Sequence, residues 1–160
     1  MIRALICVLI AAGLALPALA ADWTRYVNPR FGAGVDIPGS YAASGTTSEG
    51  DGKIFHAGNG RSTIAIWGAP LAGDFSTEVQ RRIGSDEADG WGLTYRSVTP
   101  DWAAWGGTRA GHVFYAKTIL TCGDRQTANV RLQYPAADIP NFDAIATRLG
   151  QSLGQDGGCF

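Results

Sequence analysis

The sequence predicts an α+β domain: a mainly antiparallel sheet of about six to eight strands covered by two helices. Three observations carry this. Most apolar runs are short and alternate with polar residues, as half-buried strands do. The connections between them are of hairpin length, which antiparallel strands can use and parallel ones cannot. Two longer segments instead repeat their apolar residues every three to four positions, as helices that cover a sheet do.

Residues 1–20 stand apart. Met1-Ile2-Arg3 is a short positive start, and the run from Ala4 to Leu16 carries no charge. Pro17 breaks that run, and Ala18-Leu19-Ala20 puts small residues three and one positions before a cut. This is the pattern of a secretory signal peptide cleaved after Ala20, leaving 21–160 as a single domain. An uncleaved anchor is the competing reading, because Ala4 to Ala21 approaches bilayer length. A periplasmic or secreted protein is therefore expected, with no membrane insertion after cleavage.

In the mature chain, Phe31, Ala33, Val35 and Ile37 alternate with Gly32, Gly34 and Asp36 until Pro38-Gly39 ends the strand. The polar stretch 44–52 reads as a loop with a tight turn at Gly50-Asp51-Gly52. Strands over Lys53 to Ala57 and Ser62 to Trp67 flank Gly58-Asn59-Gly60, whose residues tolerate the positive φ of a hairpin turn. Phe75, Val79 and Ile83 then recur every four residues from Asp74 to about Ser85, with Asp74 or Ser76 as N-cap and Arg81 and Arg82 on the solvent side.

Strands return over Trp91 to Val98, Trp102 to Gly106 and Gly111 to Leu120. The next, Ala128, Val130, Leu132 and Tyr134 alternating with Thr127, Asn129, Arg131 and Gln133, reads as half-buried and stops at Pro135. A last helix runs from about Pro140 to Gly150 or Leu153. Phe142, Ile145, Ala146, Leu149 and Leu153 form its stripe, and Gln155 to Gly158 reads as a flexible arm.

Lysine plus arginine at 13 against aspartate plus glutamate at 14 excludes a strongly basic nucleic-acid binder and an acidic disordered tail. Cys122 and Cys159 remain after signal cleavage, and an even count in an exported chain reads as a disulfide. His56 and His112 each fall inside a strand, with no ligand partner at i+2 or i+4, so zinc spacing is absent and no metal or cofactor is expected. Nucleophile elbows, His-Glu-x-x-His helices and phosphate loops are also absent. Glu49-Gly50-Asp51-Gly52 lacks most of the oxygen ligands that a calcium loop needs. No catalytic residue is assigned, although Asp36, Asp51, Asp86, Glu87, Asp89 and Asp101 leave an acid pair open. Of these, the segment 86–89 reads as the solvated end of the first helix.

Five tryptophans are the most informative feature of the composition. Trp102 and Trp105, three apart, are candidate binding residues for a sugar or peptide face; the competing reading is that such rings fill the core.

Several segments carry a resemblance. Trp23-Thr-Arg-Tyr26-Val-Asn28 leading into Arg30-Phe31-Gly32, Ile64-Ala65-Ile66-Trp67-Gly68, Gly111-His-Val-Phe114-Tyr115-Ala-Lys117 and Leu132-Gln-Tyr134-Pro135 resemble small exported bacterial proteins of unknown function. The element order resembles the PsbP-like α-β-α sandwich, whose members are mostly extrinsic or accessory binding proteins. The resemblance speaks to fold. By elimination, since every compact nucleophile and metal motif is missing, the residues point to a non-enzymatic binding or accessory protein whose partner is a protein or envelope component. An envelope hydrolase using an acid pair or a lone histidine is the alternative.

Overall fold

A computed structural model describes residues 22–47 and 51–159. The expected signal peptide, and Glu49-Gly50 of the expected turn, lie outside the described residues. The elements run β1 (Trp23–Val27), β2 (Ala33–Pro38), β3 (Tyr41–Thr46), β4 (Gly52–Ala57), β5 (Thr63–Pro70), α1 (Phe75–Ala88), β6 (Gly92–Val98), β7 (Trp102–Arg109), β8 (His112–Thr121), β9 (Gln126–Pro135), α2 (Ile139–Ser152) and β10 (Gly154–Gln155). Seven strands form one antiparallel sheet in the order β3-β4-β5-β9-β8-β7-β6. A small antiparallel sheet, β1-β2-β10, is hydrogen-bonded separately and packs on one face of it.

The alternation of the strands sorts their side chains into two cores, one for each face of the large sheet. On one face Ile64, Ile66, Val130 and Leu132 are buried with Val35 and Ile37 of β2 and Leu149 of α2. Phe142 of α2 stacks on Tyr134, with ring centroids 4.3 Å apart. On the other face Phe75, Val79 and Ile83 of α1 pack with Trp91, Trp105, Phe114 and Ala116. Phe31 precedes β2 and seats against Gly68, where any added Cβ would collide with the Cβ of Phe31. The small sheet therefore rests on a notch in β5 that only glycine leaves open.

Asp74 is the N-cap of α1: its carboxylate accepts from the Thr77 N–H at 2.8 Å. The helix continues past Ser85 to Ala88 because Asp86, on the same stripe as Phe75, Val79 and Ile83, finds partners underneath. Arg82 is not on the solvent side as the periodicity suggests; its side chain is largely buried, with the guanidinium carbon over the Trp67 ring, 5.6 Å from its centre.

Three strands lack a readable apolar alternation. β1, β3 and β10 are at sheet edges or are very short, so they are held by backbone pairing more than by a buried face. Ser44 to Thr46, read as loop, belong to β3. Both edges of the large sheet carry a register shift, between Ala43 and Gly45 in β3 and between Leu93 and Tyr95 in β6. Such bulges discourage edge-to-edge pairing.

The C-terminal arm is not a loose end. Gly154 and Gln155 pair with β2, the N–H of Asp156 donates to Gly32 O at 2.8 Å, and the Asp156 carboxylate accepts from Arg25. Cys159 is joined to Cys122 by a disulfide with Cα atoms 5.4 Å apart. Cys122, Gly123 and Asp124 turn β8 into β9 with positive φ at all three.

Candidate binding cleft

Helix α1 packs over β7 and β8 and leaves part of the sheet beside it uncovered. There a cleft of about 660 Å³ opens between α1 and strands β4 and β5. Its floor is Ile54 from β4 with Ala65, Trp67 and Ala69 from β5, continued by Pro70 and Ala72. These alternate residues point to the α1 side because Phe55, Ile64 and Ile66 point to the α2 core.

Its rim is charged. Glu78 accepts from Arg81 Nε at 2.9 Å and from Arg82 Nε at 2.6 Å, the i+3 and i+4 neighbours on its own helix. Burial works to raise the Glu78 carboxyl, but the Arg81 hydrogen bond and attraction to both arginines outweigh it and hold the group below its ordinary value. Asp51, at the opposite edge, is paired with Arg30. The Thr47 hydroxyl also lines the cleft; it is buried and has no hydrogen-bond partner among the described residues. A ligand that offered it a donor or acceptor would remove that cost.

The structure separates Trp102 and Trp105. An odd spacing on a strand sends side chains to opposite faces. Trp105 is 4% exposed beneath α1, and its Nε1 donates to Asp86 at 2.7 Å. It therefore presents no indole face to a ligand, which corrects the expectation of a paired binding surface. Trp102 is half-buried on the other face with the Lys117 ammonium 5.5 Å from its ring centre, and that ammonium donates to Gly150 O.

The acid and histidine candidates are dispersed. Asp86 is buried, not solvated: it also accepts from Arg131 at 2.8 Å. Asp36 lies between Arg25 and Arg148, Asp101 accepts from the Thr99 hydroxyl, and Glu87 and Asp89 are exposed. His56 is half-buried on β4 across from Thr63, whereas His112 is exposed at the start of β8. Neither lines the cleft. Among the described residues no group of three or more His, Cys, Asp and Glu is arranged to hold a metal, and no helix is long and apolar enough to cross a membrane.

Of the cleft residues, Asp51 was legible in the sequence among the acids and Trp67 among the tryptophans; the others were not legible as a site. The Glu78, Arg81 and Arg82 spacing was readable as a helix-surface ion pair, but nothing in it says that a sheet face lies open beside it.

Neither a family model nor a curated protein sequence matches the chain. Solved structures do. The solution structure of cyanobacterial PsbP (CyanoP) from Synechocystis superposes with a TM-score of 0.64 at 11% identity, covering 90% of this chain and 98% of that one. The Saccharomyces cerevisiae Ran-binding protein Mog1p gives 0.60 at 10% identity, covering 85% and 96%. The chain has a PsbP-like fold, shared with Mog1p.

Proposed function

We propose that this is an exported, non-enzymatic binding or accessory protein, and that the cleft between α1 and strands β4 and β5 receives a protein partner. The observation that carries the reading is the cleft's composition: an apolar floor containing Trp67, framed by carboxylates that are each tied to an arginine. Apolar centres with polar rims are how protein interfaces are built. The yeast neighbour is itself described as Ran-binding, so this fold has been used to hold a protein; that is analogy and supports the reading only in kind. Export rests on the 1–20 pattern.

One observation favours the hydrolase alternative: Asp51 and Glu78 line the same cleft. Against it, a glycosidase-type acid must be protonated near neutral pH, and Glu78 is held ionised.

Two measurements test the proposal. Intact mass and fractionation of the full chain expressed in a bacterium should give a periplasmic or secreted product beginning at Ala21. A retained leader or cytoplasmic product overturns export. Partners captured from envelope extract should then be purified and titrated directly. Ile54→Glu and Trp67→Ala should weaken binding at least about tenfold while Trp102→Ala does not, as expected when a central anchor is lost. Equal binding by all three variants overturns the cleft. Turnover of glycan or peptide lost in Glu78→Gln establishes the hydrolase instead.

A further inference from the structure

The face that carries α1 holds a second cavity, at the other end of β5 and β9. It measures about 330 Å³ and is lined by Arg61, Thr63, Trp91, Arg109, His112 and Gln133. Thr63 and Gln133 are register partners on the two central strands, and Phe114, opposite Gln133 on β8, belongs to the core under α1. Three cationic or protonatable side chains meet here, and among the described residues no carboxylate lines the wall.

Arg109 is held in place. Its guanidinium lies 4.6 Å from the centre of the Trp91 ring, and one amino group donates to Asp89 O at the end of α1. That bond answers the negative end of the helix and leaves Nε and the second amino group for another acceptor. Arg61 pairs with Asp138 at 3.3 Å. His112 has Nδ1 3.2 Å from Ala110 O, so Nδ1 is the donor there; Nε2 is an acceptor in the neutral ring and offers an anion a donor only in the imidazolium, so His112 serves the site as a reporter and the arginines as its anion ligands. Of the acids near this end, Asp86 takes Trp105 and Arg131, while Asp89 gives its backbone carbonyl to Arg109 and its exposed carboxylate attracts Arg131.

We propose that this cavity binds a small oxyanion, a carboxylate or phosphoryl group of a small ligand, between Arg61 and Arg109. Guanidinium forks match both groups in a two-pronged way that an ammonium cannot. A fork already fixed against Trp91 loses little further freedom on binding, and Thr63 and Gln133 add neutral donors. The size suits a small group, at the lower end of ligand sites. The proposal stands independently of the partner cleft.

The test uses the two histidines as reporters. The folded protein is titrated at constant pH with inorganic phosphate and, separately, with acetate, with sodium chloride as the ionic-strength control, while the His112 and His56 ring resonances are followed by NMR. A saturable shift of His112 with His56 unmoved is expected, weakened at least about tenfold in Arg61→Gln and in Arg109→Gln. Saturation by phosphate alone assigns a phosphoryl group, by acetate alone a carboxylate, and by both the oxyanion chemistry they share. Arg61 is exposed, so its variant keeps the fold even if Arg109→Gln loosens the end of α1. No saturable shift with either anion, equal shifts at both histidines, or unchanged affinity in Arg61→Gln overturns the proposal.

Discussion

Asp86 shows how far a residue's role can depart from its sequence context. It sits in the acidic run Asp86-Glu87-Ala88-Asp89, yet it alone points inward, 8% exposed, between the Trp105 indole and the Arg131 guanidinium. Arg131 in turn lies 3.9 Å from the centre of the Phe114 ring. Removing the acid would leave a largely buried cation without its hydrogen-bonded counter-charge, with only the more distant attraction of Asp89, which is the costly way to break such a pair. Asp86→Ala should lose about 3 kcal/mol or more of stability in denaturant unfolding. Glu87→Ala, one position on and exposed, should stay within about 0.5 kcal/mol. Equal midpoints for the two would remove the buried pair from the account. Glu78 and Asp156 carry a pH dependence. Both carboxyls are lowered, Glu78 by its arginines against burial and Asp156 chiefly by the Arg25 hydrogen bond. A depressed carboxyl stabilises the fold above the unfolded value, and that support is lost as pH falls through the folded value. Thermal scans should show a plateau above about pH 5 and a decline below about pH 4, shallower in Glu78→Gln.

At the scale of elements, α2 reads correctly because its stripe meets only one surface. Leu149 is fully buried against the sheet, while Arg148 reaches outward to Asp36 at 2.7 Å with half its side chain exposed. Leu149→Asp should unfold the domain or cost more than about 4 kcal/mol, since it places an unpaired charge in the core. Arg148→Ala should cost less than about 1 kcal/mol, the range of exposed ion pairs. Similar melting temperatures would mean the stripe faces elsewhere. β9 reads only half correctly. Its apolar face was legible, but Thr127 and Asn129 on the other face are buried too. They are satisfied by each other, by Thr118 and by Trp67 O. A polar residue looks solvated until its partners, on other strands, are known.

The whole molecule is closed by its C-terminus. The arm that leaves α2 adds β10 to the small sheet, binds Arg25 through Asp156, and ends in the disulfide to the β8–β9 turn, 37 residues away. Closing a loop of that length in the unfolded chain corresponds to about 3–4 kcal/mol. Reduction, or Cys122→Ala with Cys159→Ala, should lower stability by up to that amount and leave a folded domain, because the remaining arm contacts do not involve sulfur. Mass spectrometry of the unreduced protein should find no free thiol at either position; two free thiols would contradict the pairing.

What depends on local period and on chain chemistry was legible in the order of the residues. Alternation in Ile64-Ala65-Ile66-Trp67 and in 128–134, the four-residue repeat of Phe75, Val79 and Ile83, and the stripe of α2 are local, so the α+β class and both helices could be read before any contact was known. Cys122 and Cys159 could be paired because, with Cys7 inside the expected signal peptide, only one pairing is left. The tertiary structure decided what depends on distant neighbours. It buried Trp105 under α1, drew Asp86 inside and fastened the arm to β2. It also left the sheet beside α1 open over Trp67. A cleft is the space that elements fail to fill when they pack, so no stretch of sequence records it.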